Sequence, residues 1–167
     1  MVATLPRARS DSIDDRTRLV EAAAALSSLQ EQLIETIETE TAVKVFAARH
    51  LPQASVTQRS ERQTAIQFAL RAAADVPLEV MRLCTRGLQE AKTVAKHGPR
   101  AAFTDIELGV ALLHTAFHGA RSNLEAKLSS LTNAAYIKSV VEEMAQLTED
   151  ATSAASAAGA SLQVPPA

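Results

Sequence analysis

Two histidines, His114 and His118, lie one helical turn apart in the stretch FTDIELGVALLHTAFHGARSNLEAKL, residues 103–128. Imidazoles at this spacing face the same way on a helix and are possible metal ligands. A zinc site needs three or four protein ligands, however, and Arg121 on the same arc opposes a bound cation. The pattern therefore favours a solvated or dimer-facing flank, and we expect no metal site.

Three further polar residues could belong to a site or to a hydrated surface. Asp105 falls in the first turn of the predicted helix, where free amides and the dipole lower the pKa of a carboxylate and hold it charged. Asn123 lies opposite the histidines on that helix. Glu79 follows Pro77, where a proline kink would free backbone carbonyls. Taken alone, Asp105 is more simply explained as a helix-start acid and Asn123 as an ordinary helix residue, and the position of Glu79 is unspecific. No Gly-rich phosphate loop or paired nucleophile and base is present, so no motif names a reaction.

The composition predicts a chain built from a few long helices. Of the 167 residues, 47% are apolar but only 3% are aromatic, with no Trp. Sheet-rich domains depend on aromatic and β-branched residues, whereas Ala and Leu favour helices. Glycines (5) and prolines (6) are scarce, and the length suits one domain.

Charge and hydropathy exclude several classes of partner. The net charge is -2 without a basic cluster, so we expect no nucleic-acid partner. No apolar run approaches the ~20 residues that span a bilayer, and the amino-terminal residues lack the apolar core of a secretory signal. The single cysteine, Cys84, excludes an internal disulfide, which fits a cytoplasmic protein, and its spacing among leucines predicts inert core packing.

The helical pattern predicts an all-α antiparallel bundle of about four long helices that dimerises to bury its remaining apolar area. The first predicted helix runs from Arg16 to Arg49. The second starts near Thr57 or Ser60 and is kinked at Pro77. The third opens on a capping box formed by Thr104 and Glu107, and the fourth begins near Thr132 or Asn133.

The domain boundaries follow from the same pattern. Residues 1–12 are expected to form a flexible arm and residues 13–150 the helical domain. The Ala- and Ser-rich residues 151–167 are expected to fray as a flexible tail.

Several segments together resemble a known family. AAADVPLEVMRL (72–83), HGPRAAFTDIELGVALL (97–113) and AFHGARSNLEAKLSSL (116–131) are similar to the cyclodeaminase/cyclohydrolase family of formiminotetrahydrofolate cyclodeaminase and methenyltetrahydrofolate cyclohydrolase. Residues 76–78 match the Val-Pro-Leu element of that family. Thr104-Asp105 occupy the position of its Ser-Asp pair, and Asn123 occupies the position of the first Asn in its Asn-x-x-x-Asn-Leu pattern. TETAVKVFAARHLP (39–52) also resembles the family, with Glu38 where Asp is usual. The likeness covers about residues 26–150.

The chain departs from that family at three points. The Pro-Thr-Pro-Gly-Gly-Gly-Ser segment that opens the family has no counterpart, Lys127 replaces the second Asn, and His114 replaces a residue that can be acidic. Two alternatives to an intact enzyme follow. One is a truncated, non-catalytic relative acting as an interaction or scaffold subunit, and the other is part of a split enzyme completed by another chain.

The resemblance implies folate-linked one-carbon chemistry, in which the five-membered ring of a tetrahydrofolate derivative is opened or formed without a bound cofactor. Asp105 would stabilise the cationic bridge and position a water molecule, and His114 would shuttle a proton. Substrate binding would fall to Thr104, Asn123, Arg121, Glu79 and Glu38. Of these, Asn123 would orient a formyl oxygen or the pterin, and Arg121 or Lys127 would meet the anionic glutamate tail.

Overall fold

The computed structural model describes residues 12–37 and 41–163 of the chain. These residues form five α-helices and no strand, so the predicted all-α class is confirmed, and the helix count is five where about four were predicted. Two of these helices lie in the region assigned to the first predicted helix. The helices are α1 (Ile13–Ile37), α2 (Thr41–Arg49), α3 (Val56–His97), α4 (Phe103–Leu128) and α5 (Ala134–Leu162).

The 42-residue helix α3 is the centre of the bundle and packs against all four other helices. It begins at a capping box, in which the Gln58 N–H donates to Ser55 Oγ and the Ser55 N–H donates to Gln58 Oε1, both at 3.1 Å. The helix continues through the buried Pro77, as the sequence pattern indicated, and the kink there stays a prediction. None of the described helices is long and apolar enough to cross a membrane.

The main core lies where α3, α4 and α5 meet. Its largest fully buried side chains include Met81, Leu88, Phe117 and Leu124. Cys84 belongs to the same core, 1% exposed, and burial raises the pKa of its thiol to about 11. The predicted inert packing of this cysteine is therefore confirmed.

A second cluster joins α1 and the end of α5 to the bundle. Ala158 is 0% exposed and packs in this cluster with Leu19 of α1 and Val94 of α3. The predicted flexible tail is therefore wrong as far as Leu162, where α5 ends. Alanine is the strongest helix former, and its small side chain lets neighbouring helices approach closely.

The turn between α3 and α4 sets the start of α4 earlier than predicted. Gly98 follows α3, and a Cβ there would lie only 2.5 Å from the Val94 carbonyl oxygen. A short 3-10 turn, Arg100–Ala102, then leads into α4 at Phe103. Thr104 therefore lies inside the helix, and no side chain caps this start, so the predicted Thr104 capping box is wrong. The 3-10 turn already gives the backbone a helical path before Thr104, so the helix starts ahead of this residue.

Candidate functional site

The predicted site residues of α4 divide between two opposite flanks of that helix. Asp105 and Asn123 lie on one flank, whereas His114 and Arg121 lie on the other, because successive residues turn by about 100°. Nine residues separate Asp105 from His114, which is about two and a half turns. These two residues therefore cannot line one pocket within a single chain.

The Asp105 flank is open in the single chain. Thr104, Asp105 and Asn123 are exposed, and none of them lines the groove described below. Asp105 does lie in the first turn of α4, as predicted. Eighteen residues separate it from Asn123, so roughly 27 Å of helix lie between them. One chain alone does not bring these residues together.

The histidine flank is held by contacts within α4. The Nε2 atoms of His114 and His118 lie 3.3 Å apart, with the rings edge to face. Arg121 Nε donates to Glu125 Oε1 at 2.9 Å. Within the described residues, no group of three or more His, Cys, Asp or Glu side chains is placed to hold a metal ion.

Glu79 lies in a groove between α1 and α3 with a volume of about 490 Å³. Its carboxylate accepts a hydrogen bond from Arg82 Nη1 at 3.0 Å. Arg82 also donates to both oxygens of Glu143 on α5, at 2.6 and 2.9 Å. The bonds to Glu143 are the main cause that raises the pKa of Arg82 above its ordinary value. The groove is lined by Gln32, Glu35, Thr36, Ala72, Asp75, Val76, Glu79 and Leu83.

A second polar contact joins this groove to α5. Tyr136 Oη donates to Asp75 Oδ1 at 2.6 Å, and the Arg71 guanidinium lies 4.4 Å from the centre of the Tyr136 ring. Burial first, and then the bond to Asp75, raise the pKa of the Tyr136 phenol above its ordinary range. The two carboxylates of α3 that line this groove are thus held by hydrogen bonds. The partner of Glu79 lies on α3, and the partner of Asp75 lies on α5.

Sequence reasoning named Glu79 as a candidate and missed the polar residues near it, which are Asp75, Arg82, Tyr136 and Glu143. A signal was present on α3, where charged residues recur at positions 71, 75, 79 and 82 with helical spacing. The partners on α5 had no such signal, because only packing decides which face of α5 meets α3. Glu38 lies outside the described residues.

The described residues thus form an all-α bundle around α3, with a charged groove between α1 and α3. The model of the formiminotransferase-cyclodeaminase family matches residues 1–146, and the chain belongs to that family. A formiminotetrahydrofolate cyclodeaminase from Thermotoga maritima shares the fold, with a TM-score of 0.70 and 22% identity over 98% of this chain and 78% of that one.

Curated relatives are similar over shorter spans. The formimidoyltransferase-cyclodeaminase of Gallus gallus is 23% identical over 75% of this chain, and the methenyltetrahydrofolate cyclohydrolase of Methylorubrum extorquens is 27% identical over 64%. The formimidoyltransferase-cyclodeaminase of Dictyostelium discoideum is 28% identical over 54% of the chain. The matches span only 24%, 51% and 17% of these relatives' own lengths.

Proposed function

We propose that this protein acts in folate-linked one-carbon metabolism, as a methenyltetrahydrofolate cyclohydrolase or a formiminotetrahydrofolate cyclodeaminase. The observation that carries this proposal is the family match across residues 1–146, which include α1 to α4 and the first part of α5. Two of the relatives' names, a cyclodeaminase and a cyclohydrolase, describe chemistry at a ring C–N bond.

The substrate class sets what the protein must supply. A methenyl bridge between two nitrogens of tetrahydrofolate is cationic. In its hydrolysis water adds to the bridging carbon and loses a proton, which leaves a neutral carbinol. One C–N bond then breaks as the hydroxyl loses its proton and becomes the formyl oxygen, and the departing nitrogen takes up a proton, so that one proton is released overall. A carboxylate beside the bridge stabilises that cation and accepts the proton of the attacking water. We assign this role to Asp105.

The remaining assignments follow from the geometry of the helices. Asn123 shares the flank of Asp105, and its amide can orient a formyl oxygen or the pterin, with Thr104 beside the carboxylate. His114 lies half a revolution away, and Arg121 is paired with Glu125, so we assign neither to the ligand that contacts Asp105. Glu79 lines a separate groove.

The test is an absorbance assay of methenyltetrahydrofolate loss with purified protein, corrected for spontaneous hydrolysis. Asp105→Asn should lower kcat by about 100-fold or more, because it removes the charge that stabilises the bridge. The matched control is Glu107→Gln, which also removes a carboxylate near the start of α4 but on the other flank. Its turnover should stay within about twofold of the unsubstituted protein.

Equal turnover of Asp105→Asn and the unsubstituted protein would remove Asp105 from the mechanism. Loss of methenyltetrahydrofolate no faster than the spontaneous reaction would contradict catalysis by this chain alone. Co-purification then separates a stable inactive homo-oligomer, which is the scaffold alternative, from an obligate complex with another chain, which is the split enzyme.

A dimer and a cytoplasmic location are parts of the proposal. The exposure of Asp105 in the single chain favours a site completed by a second copy. The single cysteine of the sequence is buried and unpaired, as expected in a reducing compartment.

A further inference from the structure

A pocket with a volume of about 440 Å³ lies between the amino-terminal half of α3 and the turn that joins α4 to α5. Its size falls in the range of small-molecule sites. Twenty-three residues separate Asp105 from Leu128 at the end of α4, so roughly 35 Å of helix lie between Asp105 and this pocket in one chain. Its polar and aromatic walls include Gln67, Phe68, Arg71, Thr132, Asn133 and Tyr136.

Arg71 gives the pocket a positive charge that is held in place. Its guanidinium lies 4.4 Å from the centre of the Tyr136 ring, and none of the ion pairs in the described part of the chain includes it. The nearby Asp75 carboxylate accepts a hydrogen bond from Tyr136 Oη instead and lines the groove between α1 and α3. Stacking on an aromatic face fixes a guanidinium and leaves the N–H groups at its edge available to an anion.

The amides that line the pocket add hydrogen-bond donors. A backbone N–H can only donate, so its contacts identify the oxygen of each amide. Gln67 Oε1 accepts from the Thr132 N–H at 2.9 Å, and Asn133 Oδ1 accepts from the Tyr136 N–H at 3.0 Å. Gln67 Nε2 donates one N–H to the Ser130 carbonyl at 3.2 Å. Both amide oxygens are thus used, and the groups that form no further bond within the described residues are N–H donors.

The other wall of the pocket is apolar. Phe68 is 76% exposed, and Leu131, which lines the same pocket, is buried. A flat ring stacked on Phe68 would remove apolar surface of both rings from water. The pocket therefore combines a fixed cation and amide donors with an aromatic surface.

We propose that this pocket binds a small aromatic carboxylate. The carboxylate accepts two N–H groups from the edge of the Arg71 guanidinium and a further one from Asn133, and the aromatic ring lies against Phe68. A neutral ligand would leave the guanidinium without a counter-charge, and a ligand without a ring would leave Phe68 in water. The site lies within a single chain and does not depend on the proposed folate chemistry.

Fluorine NMR of 4-fluorobenzoate mixed with the purified protein tests the ligand class. This probe should bind saturably, with a dissociation constant of about 1 mM or below. The neutral 4-fluorobenzamide has nearly the same shape and should bind about 10-fold more weakly or worse, because it lacks the charge that Arg71 recognises. Equal affinity of the two probes, or line broadening that does not saturate, would overturn the proposal.

A pair of charge variants tests the role of Arg71. Arg71→Gln should weaken the binding of 4-fluorobenzoate by about 10-fold or more. The matched control is Lys138→Gln, which removes a cation from an exposed side chain of α5 outside the pocket, and it should change the affinity by less than about twofold. An equal loss in both variants would mean a general attraction for anions, and no loss in Arg71→Gln would exclude this site.

Two exposed phenylalanines provide the matching test of the aromatic wall. Phe68→Ala should weaken the binding of 4-fluorobenzoate by about fivefold, because it removes the ring that the ligand covers. Phe46→Ala, on α2 and outside the pocket, should leave the affinity unchanged. Arg71, Lys138 and both phenylalanines are exposed, so all four variants should keep the helical circular dichroism spectrum. Equal affinities of Phe68→Ala and Phe46→Ala would contradict the proposed orientation of the ligand.

One further variant separates this inference from the proposed function. Asp105→Asn should bind 4-fluorobenzoate as tightly as the unsubstituted protein does, since the pocket lies beyond the far end of α4. Saturable binding in a protein without turnover would sustain the pocket and contradict the folate chemistry. Turnover in a protein that does not bind the probe, or loss of binding in Asp105→Asn, would overturn the pocket alone.

Discussion

The polar residues of this protein differ in whether another side chain already holds them. Arg82 is fixed by Glu79 and Glu143, and its three hydrogen bonds lie between 2.6 and 3.0 Å. Asp105 and Asn123 have exposed side chains on a helix surface. Residues of the first kind set how helices dock, and residues of the second kind are available to a ligand or a partner.

The hydrogen bond from Tyr136 to Asp75 should contribute measurably to stability. Tyr136→Phe deletes the phenol oxygen, and we expect the free energy of unfolding to fall by about 1 kcal/mol at pH 7. Urea denaturation followed by circular dichroism measures this change. Ser139→Ala, an exposed hydroxyl on the same helix, should change the free energy by less than about 0.5 kcal/mol.

The sign of the pH dependence follows from the raised pKa of Tyr136. The unfolded phenol loses its proton near pH 10, whereas the folded phenol keeps it at that pH. The contribution is therefore fully present below about pH 10 and is lost as the pH rises above it. Since Tyr136 is the one tyrosine of the sequence, its ultraviolet absorbance reports this titration directly. A native titration that coincides with that of the unfolded chain would contradict this assignment.

At the scale of elements, the same capping-box spacing occurs near the starts of two helices, but the capping box forms at only one of them. Ser55 and Gln58 form a capping box, and Thr104 and Glu107 have the same spacing but do not. A 3-10 turn precedes α4 and places Thr104 inside the helix. Capping patterns therefore mark possible starts, and the preceding turn decides which one is used.

The end of α5 should matter for stability, because its alanines are buried. Ala158→Asp places a carboxylate in the cluster formed with α1 and α3, and we expect the free energy of unfolding to fall by about 2 kcal/mol or more. Ser156→Asp changes the exposed side of the same turn and should shift it by less than about 0.5 kcal/mol. Thermal denaturation of both variants measures the difference. Equal melting temperatures would mean that the end of α5 is not docked.

At the scale of the whole molecule, a dimer whose site combines Asp105 of one chain with Asn123 of the other would restore activity between two inactive variants. Asp105→Asn and Asn123→Ala should each be inactive alone. In a mixed dimer one site carries both changes and the other carries neither. Co-expression in equal amounts should therefore restore about a quarter of the unsubstituted activity, since about half of the dimers are mixed. Recovery no greater than the sum of the two separate variants would show that the site does not combine residues from two chains.

Much of the architecture was accessible from the sequence. Low aromatic content and helical periodicity predicted the all-α class, and the spacing around Cys84 predicted its burial. Charged residues 71, 75, 79 and 82 of α3 already shared one face by spacing alone. These features depend on residues close together in the chain, where helix geometry fixes the relation between them.

The tertiary structure determined the contacts between distant helices, which the spacing of residues along the chain does not predict. It set Tyr136 and Glu143 of α5 against α3, because that pairing depends on how two distant helices pack. It also showed that alanines of residues 151–162, which were expected to form a loose tail, are buried in a helix. A small apolar side chain stabilises the fold only where neighbouring residues cover it, and the sequence does not show which residues those are. The sequence by itself named the family resemblance and the residues Asp105 and Asn123, and their spacing on one helix already sets them apart; only the fold showed that both are exposed in the single chain, because packing decides which face of α4 is covered.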